Sequence, residues 1–348
     1  MKTMKLLLIV LLSGLSACSK GNNRPGTDTG AVSQPPVLPT GFAKGADIGW
    51  LSEMEASGRK FYDSKGAAHD CIDVLKSQEI NAIRLRVWVN PAAGYCNKAD
   101  VLAMAIRAKN KGMRLMIDFH YSDYWADPGK QNKPAAWENY DMPALQQAVY
   151  DHTYDVLTAL KAKGITPEWV QVGNEVNDGF LWPTGKISNS DGANYAKLNN
   201  SGYDAVKAVN PAIKVIVHVS NGFDNSLFRW HFDSMVSNGG KFDIIGMSLY
   251  PPVASWSEYN TNTLANMKDM LARYGKPVMI SEVGMDVNSP QAAKDMLTDL
   301  LTKTASLGAN GLGVFYWEPE SYNWKNYNMG AFDNSGKPTI AMDAFLLQ

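Results

Sequence analysis

The chain has 348 residues, with 33 Lys or Arg against 34 Asp or Glu and a formal net charge of −1. A balanced chain without a basic run sets up no field of dominant sign, which argues against nucleic acid and anionic membrane surfaces as partners. Its three cysteines form no Cys-X-X-Cys or Cys/His cluster that would hold zinc, and no phosphate loop or dinucleotide fingerprint is present.

Residues 1–18 begin with Lys2 and Lys5, continue through the apolar run Leu6 to Leu12 and reach Leu15-Ser-Ala-Cys18. This is the pattern of a secretory signal with a lipoprotein-type cleavage site, and the run is too short to span a bilayer. It predicts lipidation at Cys18 and an exported lipoprotein at the outer membrane or cell surface of a Gram-negative bacterium, held to the membrane by that anchor. Residues 19–40, rich in Gly, Asn, Pro, Thr and Ser, read as a flexible tether. Residues 41–348 show no second linker and are expected to form one domain, as a monomer.

Eight short apolar stretches then recur, each followed by a loop and a helical pattern: Lys44 to Gly49, Ala82 to Val89, Leu115 to His120, Trp169 to Asn174, Val215 to Ser220, Ile244 to Tyr250, Val278 to Val283 and Leu312 to Trp317. Amphipathic segments such as Ala99 to Lys111, Met142 to Lys163, Tyr195 to Val209, Thr263 to Tyr274 and Pro290 to Leu307 separate them. Glycines 112, 164, 275 and 308 fall where a helix end needs a left-handed residue. Eight strand-helix units without a glycine-rich crevice predict an α/β fold, a closed (β/α)8 TIM barrel, rather than an open doubly wound sheet. Cys71 and Cys96 fall on the same face of such a barrel, and in an exported chain they are expected to form a disulfide.

In a barrel, chemistry gathers where strands end. Trp169-Val-Gln-Val-Gly-Asn-Glu175 ends in a carboxylate that Asn174 can orient, and Pro277-Val-Met-Ile-Ser-Glu282 carries a second. Two strand-tip glutamates are what glycosidic hydrolysis requires. Arg84 and Arg86 share a side of the second strand, and Arg86, nearer its end, is expected to hold Glu282 ionised. Asp118, His120, Asp123 and Trp125 follow the third strand, with His120 reading as a partner for a sugar hydroxyl or for Glu175 rather than for a metal. His218 and Tyr250 occupy corresponding ends of the fifth and sixth strands, Tyr250 placed to donate to Glu282. Trp50, Trp88, Trp125, Trp182, Trp256 and Trp317 lie at or just after strand ends, as indoles that stack on sugar faces would. Asp286-Val-Asn288 hints at an oxygen-rich loop that leaves a structural calcium open, but two oxygen ligands are too few to argue a site, so no metal ligand is assigned.

Together these residues resemble glycoside hydrolase family 53, the endo-β-1,4-galactanases or arabinogalactanases. The resemblance is carried by Arg84-Leu-Arg-Val-Trp88-Val-Asn-Pro91, by His120 to Gly129 continuing to Pro134-Ala-Ala-Trp137, and by Gly173-Asn-Glu-Val-Asn-Asp-Gly-Phe-Leu-Trp-Pro183. It runs from about Gly45 to the C-terminus. It implies a retaining hydrolase of β-1,4-galactan and galacto-oligosaccharides, needing no cofactor. Glu175 would be its acid/base and Glu282 its nucleophile, at a carboxyl separation of roughly 5–5.5 Å. Asn174, His120, Tyr250 and Trp317 would line the central subsite. Relatives that bind structural calcium carry a longer, acid-rich loop after the nucleophile, and this chain departs from them by resuming a helical pattern at Pro290. The residues alone leave room for a barrel enzyme on another β-linked glycan such as mannan, or for a lipid-anchored glycan-binding protein without catalysis.

Overall fold

The computed structural model describes residues Leu38–Gln348. The signal segment, the lipidation site at Cys18 and most of the tether lie outside these residues. The eight apolar stretches are the eight strands of a closed parallel barrel. They are β1 (Ala43–Asp47), β2 (Ala82–Val87), β3 (Arg114–Phe119), β4 (Trp169–Val172), β5 (Lys214–Val219), β6 (Ile244–Leu249), β7 (Val278–Val283) and β8 (Gly311–Trp317). Closure is direct, since Gly45 of β1 pairs with Ala82 of β2 on one side and Phe315 of β8 on the other.

Helices Lys98–Asn110, Met142–Ala162, Ala193–Val209, Asn225–Ser237, Trp256–Tyr274 and Pro290–Ala305 cover strands β2 to β7 in turn. Local chemistry sets their ends. Asp141 caps Met142–Ala162 by accepting from the Ala144 amide at 3.0 Å, and Gly275 closes Trp256–Tyr274 at φ +63°. The β1 unit departs from the pattern, with two short helices, Leu51–Ala56 and Cys71–Ser77, flanking a small hairpin of Phe61–Tyr62 and Ala68–His69. After β8 the barrel is covered by a 3₁₀ segment, Ile340–Leu346, packed on Pro290–Ala305. The two ends of the described chain meet where the Leu38 amide donates to the Gln348 carbonyl at 2.8 Å.

Strand alternation divides the interior into two floors. The lower floor takes one side chain from every strand: Ala43, Ala82, Met116, Trp169, Ile216, Ile244, Met279 and Phe315. Full burial of its large members contributes about 1.5–3 kcal/mol each, and it plugs the barrel. Gly45 belongs there by necessity, because a Cβ would lie 2.1 Å from the Phe315 ring. The upper floor is polar, with Asp47, Arg84, Asp118, Gln171, His218, Ser248 and Glu282 all buried. Buried polar groups at this density require mutual partners.

Candidate active site

Glu175 stands just past β4 on a turn that its own neighbours make. Gly173 has φ +88° and its Cβ would fall 2.5 Å from Val176 Cγ1, so no other residue fits without a shift. Glu175 itself is left-handed at φ +45°, a conformation of a kind that clusters at functional sites. The turn is held from outside by Gln131, whose side-chain amide donates to the Asn174 carbonyl at 2.8 Å. Asn174 does not orient the Glu175 carboxylate, as its position suggested. Its Oδ1 accepts from Arg84 at 2.9 Å and its Nδ2 donates to the Ala126 carbonyl at 2.9 Å. The group on the carboxylate is Ser248, whose hydroxyl donates to Glu175 Oε1 at 2.7 Å.

Glu282 reaches the same floor through an irregularity in β7. Met247 pairs with Ile280 and the next residue, Ser248, with Glu282, so one extra residue of β7 faces β6. The β8 side has the same excess, with Val314 opposite Ile280 and Tyr316 opposite Val283. Such a bulge re-aims a side chain, and here it turns Glu282 into the barrel. Arg84 Nη2 lies 2.8 Å from Glu282 Oε1, and the Tyr250 hydroxyl donates to Oε2 at 3.0 Å. The expected pairing of Arg86 with Glu282 is therefore corrected. Arg84 takes that position because its guanidinium sits at the barrel axis, bonded also to Asp47 (2.7 Å), Gln171 (2.8 Å) and Asp118 (2.9 Å). Arg86 turns instead to Glu318 and Asp47, under the aromatic wall.

Burial pushes the Glu175 carboxyl up to about 7, against the Ser248 hydrogen bond and the field of Arg84. Burial also raises Glu282, to about 8, with Arg84 opposing and Glu175 adding to the rise. Both carboxyls are buried, so their contacts set them apart. The charge belongs on Glu282, which has an arginine and a tyrosine hydroxyl against it. Glu175, with one hydroxyl, keeps the proton. Asp118 is held below the usual carboxylate range despite its burial, by Arg84 and then His120.

Trp50, Trp88, Trp125 and Trp317 form one wall, joined to the polar floor through Trp88 and His120. Trp125 lies 5.1 Å from Trp88, 5.6 Å from Trp50 and 5.7 Å from Trp317 between ring centroids. Arg86 lies 4.3 Å from the Trp125 ring centre, a buried cation on an indole face. His120 fixes the wall to the floor but does not touch Glu175. Its Nε2 lies 2.9 Å from Asp118, and its Nδ1 accepts from Trp88 Nε1 at 3.2 Å and from the Ala126 amide at 3.1 Å. Asp123 ties two loops together by accepting from the Asn90 and Ala135 amides, each at 2.9 Å. Trp182 lies with Asp123 and Tyr124 along a separate open groove, while Trp256 begins a helix and packs on the outer core.

Two further expectations meet the structure here. The Cys71–Cys96 disulfide is absent, and both are buried free thiols. Cys71 is enclosed at the head of its helix, whereas the Cys96 thiol donates to the Gly49 carbonyl at 3.3 Å, so the two sulfurs are committed to different surroundings. At the Asp286 turn, Asp286 Oδ1 accepts from both the backbone and side-chain nitrogens of Asn288, at 3.0 and 2.9 Å. Sequence reasoning missed Ser248, Asp47, Gln171 and Glu318. Ser248 and Gln171 carried a usable signal, each being a polar residue at an inward position of a strand.

A parallel (β/α)8 barrel with two buried strand-end glutamates, one beside an arginine and a tyrosine hydroxyl and one beside a serine hydroxyl, together with a cluster of indoles, defines a barrel glycoside hydrolase. Residues 43–345 match glycosyl hydrolase family 53, and the chain belongs to that family. It is 35% identical over 302 residues to a probable arabinogalactan endo-β-1,4-galactanase A of Neosartorya fischeri, covering 79% of this chain and 83% of the relative. With an arabinogalactan endo-β-1,4-galactanase of Thermothelomyces thermophilus it shares 31% over 331 residues, covering 87% and 98%. Among solved structures, a fungal β-1,4-galactanase superposes with a TM-score of 0.80 at 30% identity, covering 87% of this chain and 98% of that one. The family 53 catalytic domain of Ignisphaera aggregans gives 0.81 at 31%, covering 90% and 98%.

Proposed function

We propose that this chain is a retaining endo-β-1,4-galactanase that cuts internal linkages of pectic galactan or arabinogalactan. The observation that carries the chemistry is the asymmetry of the glutamate pair. Burial raises both carboxyls, but Arg84 and Tyr250 stand against Glu282 and favour its charged form, which a nucleophile needs, while Glu175 has only the Ser248 hydroxyl and is left closer to the protonated form a general acid needs. Glu282 attacks the anomeric carbon as Glu175 protonates the departing oxygen. Glu175 then takes a proton from water, whose oxygen displaces Glu282 and leaves the configuration retained. Trp88, Trp125 and Trp317, the half-buried members of the wall, offer apolar faces to the sugar rings, with the buried Trp50 behind them. The choice of galactan over other β-linked glycans rests on the galactanase relatives, because epimeric hexoses differ only in hydroxyl orientation.

The experiment is release of reducing ends from pectic galactan, with mannan and cellulose as competitors and Glu282→Ala as the blank. Activity on mannan or cellulose without galactan would overturn the substrate. Inactivity on all three would overturn the enzymatic reading. The leader pattern ending at Cys18 supports a lipid-anchored enzyme at the outer membrane or cell surface, a monomer whose tether leaves the cleft free. Cys18→Ala would then move the protein to the soluble fraction, and unchanged membrane fractionation would count against the anchor.

A further inference from the structure

Glu175 must act as an acid in one half of the reaction and as a base in the other, so its hydrogen-bond partner must serve both forms. A fixed donor would favour the carboxylate alone. The only side chain bonded to the Glu175 carboxyl among the described residues is Ser248, and behind Ser248 stands His218, its Nε2 2.7 Å from the same hydroxyl oxygen. Both are buried. Burial, with Arg84 nearby, holds the imidazole far below its ordinary value, so the ring is neutral and carries a single N–H.

What surrounds the other ring nitrogen matters most. His218 Nδ1 lies 3.0 Å from Asn174 Oδ1, an acceptor, and 3.1 Å from Gln171 Nε2, a donor, with the Glu175 amide also donating toward it at 3.4 Å. Neither amide can turn over to remove the choice. Arg84 Nε bonds Gln171 Oε1 at 2.8 Å and Arg84 Nη2 bonds Asn174 Oδ1 at 2.9 Å, while Gln171 Nε2 and Asn174 Nδ2 are committed as donors to Asp118 and Ala126. Both neutral tautomers of His218 are therefore satisfied, one by donating to Asn174 and the other by accepting from Gln171 and Glu175.

We propose that Ser248 and His218 form a reversible hydrogen-bond pair that donates to Glu175 as a carboxylate and accepts from it as an acid. With Glu175 ionised, the Ser248 hydroxyl points to Oε1 and its oxygen accepts from His218 Nε2–H. With Glu175 protonated on Oε1, that proton is donated to the Ser248 oxygen, the Ser248 hydroxyl turns to a bare Nε2, and the His218 hydrogen resides on Nδ1. Between the two forms the Nε2–H bond breaks and an Nδ1–H bond forms, one proton being lost to water and one taken from it, so His218 carries a single hydrogen in each form and passes none to the substrate, and both residues are positioning residues. The proposal rests on Glu175 being the acid/base. The charged and titratable groups that face the assembly are Arg84 from β2, Asp118 and His120 from β3, Asp127 from the following loop, Tyr250 from the end of β6 and Glu282 from β7. Asp118 and Glu282 are held by Arg84 across the change.

The test is nitrogen-15 NMR of histidine-labelled full-length protein, with His218 assigned by His218→Asn, read beside pH profiles of kcat/KM. The His218 hydrogen should reside on Nδ1 below the basic limb and on Nε2 above it, with the crossover at the pH of the limb. In Glu175→Ala the crossover should vanish. Ser248→Ala removes a charge-assisted bond to the carboxylate and a weaker neutral bond to the acid, so the basic limb should move to higher pH by about 0.5–1 unit, with KM little changed. One tautomer at every pH, or a Ser248→Ala enzyme that loses melting temperature with its limb in place, would overturn the proposal. Azide rescue of Glu175→Ala reports separately on the acid/base assignment. If rescue occurs and the tautomer stays put, only the pair fails. If rescue fails, both do.

Discussion

In the proposed roles Glu282 and Glu175 divide the reaction unequally, and substrates with different leaving groups expose the division. Glu282→Ala removes the atom that bonds to the sugar, so kcat should fall by about 10⁵–10⁶-fold on galactan and on aryl galactobiosides alike. Glu175→Ala should lose about 10²–10⁴-fold on galactan but much less in the glycosylation step with a dinitrophenyl leaving group, which departs without a proton. Added azide should then restore turnover as the β-azide, and recovery of the α-azide would reverse the two roles. Glu175 also sets a pH limit. Its protonated form is the acid, and with its carboxyl at about 7 kcat/KM should decline above that pH. The same shift costs stability, because the folded state binds this proton more tightly than the unfolded chain. Unfolding free energy should therefore fall as pH rises from the ordinary carboxyl range to about 7. Glu175→Gln removes that loss, so its melting temperature relative to the wild type should rise across the same window. A difference independent of pH would mean that Glu175 is not held protonated by the fold.

The segments that deliver these side chains were legible as strands because each buried strand is a short apolar run bounded by a loop, and all eight were found within one or two residues of their ends. Side-chain direction was less so. Strict alternation on β7 would send Glu282 to the same side as Ile280, out toward the helices, and only the extra residue opposite β6 and β8 turns it inward. Nothing local in Val-Met-Ile-Ser-Glu-Val marks that bulge, since pairing with two neighbours creates it. Arg84 and Arg86 failed for a related reason. Both point inward, but which one meets Glu282 depends on height along the barrel axis, set by the stagger between strands. The turn after β4 carries a prediction of its own. Gly173→Ala adds a Cβ into Val176 at a positive φ and should cost about 1–3 kcal/mol, with a fall in kcat as Glu175 swings away. Calorimetry and kinetics on the one variant would check both, and unchanged kcat with lowered stability would show that the turn supports the fold without aiming the acid.

At the scale of the whole molecule, the closed barrel brings Asp47, Arg84, Asp118, Gln171, His218, Ser248 and Glu282 from seven strands to one floor. It also keeps Cys71 and Cys96 as separate buried thiols. In Cys18→Ala protein, neither thiol should react with a thiol reagent while folded, and both should react after denaturation without reductant. Reductant should leave the melting temperature in place. A protein that releases two thiols only on reduction would restore the disulfide. Periodicity and the spacing of apolar runs determined from the sequence alone that the chain is a (β/α)8 barrel, and strand-tip position singled out Glu175 and Glu282 as the proposed reacting pair, since both depend on neighbours along the chain. Which arginine meets Glu282, which hydroxyl meets Glu175, which four of six indoles form the wall and whether two cysteines meet were decided only by tertiary structure. Those contacts join residues from different strands, and their partners are chosen by register and barrel closure, which no local stretch encodes.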